Sequence, residues 1–515
     1  MNQPRVRRND WGTLDAPAIG SWKPSLTVSV VIPAYGAQRL LPYVLAGLAA
    51  QTYPAHLLEV VVADDDPRKP LELPEVRPER TRIVRVEEGW GRANACHTGA
   101  LASDGQVIHW LDADMLVEPD EVEAQARWHH LIDHAVVLGH KWFVDPAPLL
   151  ATSPDGPLHD VFAGVEKERH WVEDVWDKTD DLRAAGPRAL RTHVGATASL
   201  RRSLYEESGG MDTSLRLGED IDLGYRLAEQ GAVFVADRQA RSWHLGRSHQ
   251  QHRQDDVNDY NQPFLTDRVP DLQPQRRRGR LYTVPYLEVV LDTRGQDHRS
   301  VQAVVDSVLA STLADLSVSL LGDWSGIGEE RISPLDDPQK SARLVRASYA
   351  GDPRVHLVKE AGPRRRQFRL TLGSAGWAPG PETLANLVMH LERTHHGLRQ
   401  VMMPDGTSAR LERSAAVARA RRVARPGEDL DDVVDELFGS WWVEAGDAGF
   451  EPSATIKRPR LRGTAGPAQD PAASWVELGQ APAPQAKPRK KAAAPTPAPA
   501  PRSLKDRVRS RLRRG

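Results

Sequence analysis

Four groups of side chains have the types and spacing to do chemistry. Asp112-Ala113-Asp114 directly follows an apolar run, Val107–Leu111. In a turn, two carboxylates one residue apart can share a hard cation. Mg²⁺ or Mn²⁺ takes oxygen ligands, usually one or two from protein and the rest from water and substrate phosphates. The pattern therefore suits a metal–diphosphate site; the plainer alternative is an ordinary turn, where Asp is common. Asp64-Asp65-Asp66 ends a second apolar run. Three adjacent acids repel one another, and a carboxylate there can accept a hydrogen bond from a pyrimidine N–H or from ribose hydroxyls. A solvated turn, favoured by Pro67, is the alternative. Gly218-Glu219-Asp220-Ile221-Asp222 precedes a helical stretch. The helix dipole alone stabilises one or two acids at that end, but a carboxylate beside a ligand-accessible Gly can also act as general base toward a hydroxyl. His244, in Ser242-Trp243-His244-Leu245-Gly246, can complete a metal shell. It is one of 18 histidines, so a structural role is the alternative.

The elements that must hold these residues are legible from periodicity. Val28–Ile32, stopped by Pro33, reads as a buried strand; Leu58–Ala63, Arg82–Val86 and Val107–Leu111 follow as further strands. Residues 39–51 and 91–103 suit helices between them. Strands alternating with helices predict a mostly parallel sheet covered on both faces. In such sheets ligands bind beyond the carboxyl ends of the strands, where both early acidic clusters fall.

The pattern then recurs. Leu287–Asp292 parallels Val28–Pro33, residues 307–312 parallel 47–52, and Leu316–Asp323 parallels Leu58–Asp65. Arg410–Ser414 echoes Ser199–Ser203, and Gly427-Glu428-Asp429-Leu430-Asp431 repeats the 218–222 motif. Five matches in order point to a diverged duplication. At the place of Asp112-Ala113-Asp114 the second copy reads Gly373-Ser374-Ala375. It is expected to keep the architecture without the chemistry.

Length and composition bound the rest. The 515 residues allow two to four domains. Net charge is −2, but residues 487–515 hold eleven bases against one acid, or +10, leaving −12 on the remainder. Near-balance argues against a chain-wide nucleic-acid binder. The lone cysteine, Cys96, excludes an intramolecular disulfide and disfavours a Cys-based zinc site. No apolar run approaches the ~18 residues of a membrane span. The N-terminus carries positive charge without an apolar stretch, so no secretory signal is expected and a cytoplasmic location is. The Ala/Pro-rich segment from about 463 cannot form a core. The closing SLKDRVRSRLRRG places Leu504, Val508 and Leu512 on one thin stripe of a basic helix. It suits either peripheral contact with an anionic membrane or a solubilising tail.

Taken in order, Val30-Val31-Ile32-Pro33-Ala34-Tyr35, Glu59–Asp65, Asp112-Ala113-Asp114, Gly209-Gly210-Met211-Asp212 and Gly218–Asp222 resemble the motifs of family 2 inverting glycosyltransferases with the GT-A fold. The resemblance covers 27–246. It implies an α/β, Rossmann-like GT-A fold followed by a second diverged α/β domain of similar architecture. The implied organisation is a lead-in over 1–26, a GT-A domain over 27–270, a degenerate GT-A-like domain without the D-x-D motif over 280–462, and a linker and tail over 463–515. It also implies roles. Pro33, Ala34 and Tyr35 line the nucleotide pocket; Asp64 and Asp65 hold base and ribose. Asp112, Ala113 and Asp114 serve the diphosphate and metal, with Asp114 the direct ligand. Asp220 is the catalytic base, and Glu219 helps bind the acceptor.

Two departures stand out. The family's Ala-Arg-Asn-x-Gly reads Ala95-Cys96-His97-Thr98-Gly99 here, so Arg92 is expected to replace the missing arginine. Asp66 stands where Gly is usual. The implied activity is metal-dependent, inverting transfer from a nucleotide-diphosphate sugar to a glycan, lipid-linked or polymer hydroxyl, in glycan or cell-envelope polysaccharide synthesis, with Mg²⁺ or Mn²⁺ as cofactor. Competing readings are a nucleotide-sugar-binding scaffold and a sugar nucleotidyltransferase. The latter is disfavoured because Ala34-Tyr35-Gly36-Ala37-Gln38-Arg39 lacks a Gly-rich, basic triphosphate loop.

Overall fold

The computed structural model describes residues 3–456, apart from 159, 248–252, 278, 329 and 363–364. The linker and basic tail expected over 463–515 lie outside the described residues, as does the end of the expected second domain.

The first half is built on β1 (Val28–Ala34), β2 (Leu58–Asp64), β3 (Thr81–Arg85), β4 (Val107–Trp110), β5 (Met115–Val117), β6 (Ala135–Val144), β7 (Lys167–Arg169), β8 (Ala198–Arg201) and β9 (Val233–Leu245). They form one sheet in the order β3-β2-β1-β4-β8-β6-β9-β5, with β7 paired to β6. The strands β3, β2, β1 and β4 are mutually parallel. Parallel neighbours need crossover connections, and the helices Leu41–Ala49 and Arg92–Ala102 supply two of them. Cover on both faces explains why β1 and β2 are buried along nearly their whole length rather than alternating, with the polar Ser29 and Glu59 paired to each other. Pro33 does not stop β1. Pairing with β4 covers only Val28–Val31, so the missing N–H of Pro33 leaves no bond unmade on that side.

A second sheet follows, from β10 (Leu287–Asp292), β11 (Leu316–Leu321), β12 (Val355–Val358), β13 (Phe368–Leu372), β14 (Trp377–Pro379), β15 (Leu398–Met402), β16 (Ser408–Arg413), β17 (Ser440–Glu444) and β18 (Phe450–Pro452). Seven strands run β12-β11-β10-β13-β16-β15-β17, and β14 pairs with β18 separately. The seven match β3-β2-β1-β4-β8-β6-β9 in order. Strand sense agrees at every junction, with β13/β16 and β16/β15 antiparallel as β4/β8 and β8/β6 are.

Each sheet keeps its own apolar core, yet residues 3–456 pack as one compact unit. Arginines dominate the seam. Arg419 is buried and donates to the carbonyls of Val6, Arg8, Gly231 and Ala232. Arg422 reaches Gln230 O and Glu207, and Arg365 pairs with Asp222 and Glu229. Buried carbonyls left unpaired are costly, so these guanidiniums fix how the halves meet.

Candidate active site

The turn after β4 carries Asp112, Ala113 and Asp114. Leu111 N–H still donates to Val31 O (3.1 Å), holding the chain in the sheet until the turn begins. Met115 N–H then donates back to Asp112 O (3.2 Å), closing the turn. The short β5 pairs antiparallel with the end of β9, setting Met115 opposite His244. That pairing brings a residue 130 positions away beside Asp114. One oxygen of Asp112, one of Asp114 and one ring nitrogen of His244 lie within 4.8 Å of one another. His244 Nε2 stands 3.8 Å from Asp114 Oδ1, while Nδ1 meets Gly246 O at 2.9 Å. With Nδ1 held by a carbonyl, Nε2 is the ring nitrogen left facing the carboxylates, the usual way a protein orients an imidazole toward a metal. Two carboxylates and this imidazole can hold a divalent cation.

Arg92 organises the other side. It is the first residue of its helix, just past Gly91, whose φ of 95° belongs to the region that favours glycine. Its Nε and Nη2 donate to Asp112 Oδ1 at 3.0 and 2.8 Å, and Nη1 donates to Glu219 Oε1 at 2.9 Å. Gly195 makes room for the guanidinium, since a Cβ there would lie 2.3 Å from Nη2. Electrostatics follow from this geometry. Burial opposes ionisation of Asp112, but Arg92, with His244 and Lys141, outweighs it and holds the carboxyl below its ordinary range. Asp114 is pushed upward by burial and by Asp112, against His244. Glu219 is also raised, by burial and then Asp220, despite Arg92. Lys141, buried beside the cluster, donates to Ala196 O; burial lowers it to about 8 although Asp112 opposes the shift.

A cleft of about 960 Å³ opens at the carboxyl ends of β1, β2 and β4. Pro33, Ala34, Tyr35 and Asp65 line one part of it; Arg92, Asp112, Ala113, Asp114 and His244 line another, with Arg39 and Arg247 also on its wall. Three expected residues are not on that wall. Asp64 is 1% exposed, and its carboxylate is already taken by Arg85 Nη1 (2.9 Å), Leu71 N–H (3.2 Å) and Asp66 N–H (3.1 Å). It buttresses the loop beyond β2, and only Asp65 reaches the cleft. Glu219 is buried under Arg92. Asp220 is half-buried at the start of the helix Glu219–Glu229; its Oδ1 accepts from Ile221 N–H and its carbonyl meets His193 Nδ1 at 2.7 Å. Asp220 is thus tied to the Asp112–Asp114–His244 cluster through Glu219 and Arg92.

Sequence reasoning missed Lys141, hidden in an apolar strand, and Gly195, in a loop without a periodic signal. It also missed Trp90, although the flanking glycines of Gly89-Trp90-Gly91 mark a tight loop.

Residues 29–209 match the family model described as glycosyl transferase family 2. The chain is 24% identical over 361 residues to chondroitin synthase of Escherichia coli, covering 65% of this chain and 50% of that one. It is 28% identical over 256 residues to validoxylamine A glucosyltransferase of Streptomyces hygroscopicus subsp. limoneus, covering 46% and 54%. Hyaluronan synthase of Pasteurella multocida matches at 21% over 362 residues, covering 65% and 35%. The chain spans about half the length, or less, of these curated relatives. Sheet order, the acidic turn after β4 and the matched span agree in giving residues 29–209 the pattern of a family 2 glycosyl transferase domain on a GT-A-like sheet, and a second α/β sheet follows it. Among the described residues no helix is long and apolar enough to cross a membrane.

Proposed function

We propose that the first half moves a sugar from a nucleoside-diphosphate sugar to an acceptor hydroxyl, inverting the anomeric carbon, in the synthesis of a glycan or envelope polysaccharide. The observation that carries this reading is the Asp112–Arg92–Glu219 bridge. It joins a three-ligand cluster at one side of the cleft to the helix that begins with Glu219 and Asp220.

Asp112, Asp114 and His244 would hold Mg²⁺ or Mn²⁺. When bound, the cation supplies a Lewis acid that neutralises charge on the departing diphosphate. Arg92 keeps Asp112 ionised and fixed in direction. Glu219 takes the remaining arm of the same guanidinium and so sets the start of the Asp220 helix. Asp220 accepts the proton of the acceptor hydroxyl as its oxygen bonds to the anomeric carbon. The bond from that carbon to the phosphate oxygen breaks, and its electron pair leaves with the nucleoside diphosphate. Tyr35 and Asp65 face the nucleotide, whereas Asp64 acts only by supporting the loop. The polymer-building relatives favour a glycan acceptor. The second half, with Gly373-Ser374-Ala375 in place of the D-x-D turn, is not assigned the transfer.

Release of nucleoside diphosphate from a panel of nucleotide sugars with Mn²⁺ tests this reading. One donor should turn over, and Asp114→Ala should reduce its turnover on the order of a hundredfold. Nucleotide binding by wild type without turnover of any donor would favour a nucleotide-sugar-binding scaffold instead.

A further inference from the structure

Beyond the residues the family motifs account for, the cleft carries an exposed indole. Trp90 lines the cleft and is 61% exposed, as open as Tyr35 at 62%. Large aromatics left this open inside a concavity rarely serve packing. Its setting is built rather than loose. Gly91, immediately after it, donates its N–H to Asp65 Oδ2 at 2.6 Å. Trp90 O accepts from Arg216 Nη1 at 2.6 Å, and the same guanidinium stacks on the indole, 4.3 Å from the ring centroid. One arginine therefore covers part of the ring and clamps its backbone. Tyr35 is arranged alike: Arg68 sits 5.5 Å from its ring centroid and donates to its hydroxyl at 2.6 Å. Two exposed rings, each backed by an arginine, thus share the cleft with the acceptor carboxylate of Asp65.

We infer that Trp90 is a stacking wall for the nucleobase of the donor, acting together with Tyr35, and so helps determine which donor is bound. The inference rests on the transferase reading above and adds a residue to it. The chemistry is that of a flat π-face on an aromatic ring, which tolerates different bases. Asp65, pinned to Gly91, supplies the acceptor that can read an N–H on the base edge. The arrangement also links the two ends of the site. Arg216 belongs to the segment leading into Gly218, Glu219 and Asp220, so a base resting on Trp90 bears on the approach to the catalytic helix.

The test is binding of UDP and GDP, each with Mn²⁺, by calorimetry on the full chain, with inorganic pyrophosphate plus Mn²⁺ as the probe that lacks a base. Trp90→Ala should weaken the better-bound nucleotide about tenfold and leave pyrophosphate unchanged. Trp90→Phe should restore affinity to within about threefold. Unchanged nucleotide affinity in Trp90→Ala overturns the inference, and a raised acceptor KM alongside it would assign the ring to the acceptor. An equal loss for pyrophosphate also overturns it, because the effect would then not come from the base. Wild type that binds neither nucleotide would sink the transferase reading itself, whereas normal wild-type binding with an indifferent variant sinks only the role of Trp90.

Discussion

The two halves run the same strands in the same order and end them differently. After β4 the chain turns through Asp112-Ala113-Asp114; after β13 it turns through Gly373-Ser374-Ala375, with Ala375 buried in the core. After β2 Asp65 reaches a cleft, while after β11 Asp323 bonds within its own turn, to Ser325 and Gly326. At the start of the helix Leu430–Phe438, Asp429 caps the helix through Asp431 N–H. Glu428 before it pairs with Arg5, whereas Glu219 at the same place in the first half pairs with Arg92, which also holds Asp112. The short strand after the turn differs too. β5 joins β9 and delivers His244, but β14 joins β18 and delivers no ligand to Gly373–Ala375. The lesson concerns cost. Apolar strands maintain an architecture by burial alone, whereas crowded carboxylates persist only where a cation or guanidinium holds them together.

That contrast can be broken most sharply at Asp220. Asp220→Asn should lower turnover roughly 10²–10⁴-fold while nucleotide affinity holds. A large loss of affinity with little change in turnover would move Asp220 to the donor. Next in size is stoichiometry. Titration of the full chain with Mn²⁺ and nucleoside diphosphate should give one site, abolished by Asp112→Ala; a surviving site in that variant would mean that the second half binds as well.

The smallest effect concerns the seam. Glu229 is buried there, accepting from Tyr225 Oη (2.8 Å) and Arg366 N–H (3.1 Å), and burial raises its carboxyl to about 7 despite Arg365. The folded protein therefore holds this proton more tightly than the unfolded chain does. Its contribution is fully present below the unfolded value of 4.5 and is lost as the pH rises toward 7. Glu229→Gln should flatten that dependence by up to about 3 kcal/mol. Equal pH slopes for wild type and variant in chemical unfolding would show that the seam leaves Glu229 as free as a surface acid.

Much of this was readable in advance, for specific reasons. The strands β1, β2 and β4 sit where apolar β-branched runs put them, because a doubly covered parallel sheet writes itself as continuous hydrophobicity. The repeat was visible for the same reason. Asp112, Ala113 and Asp114 were legible because an acidic turn after a buried strand is unusual. The tripled acids after β2 were legible as a group but not individually: Asp64 and Asp66 turn into the loop, and only Asp65 lines the cleft. Arg92 was singled out as a replacement contact, yet its bridge from Asp112 to Glu219 was not, since those acids stand 107 residues apart.

Sequence by itself determined the sheet, its echo and the presence of a carboxylate pair at a strand end, since these depend on local residue type and period. Tertiary structure alone decided that His244 meets Asp114, that Asp64 is a buttress, and that Trp90 opens onto the cleft. Those outcomes depend on strand pairings and loop anchors between distant segments, which no local pattern encodes.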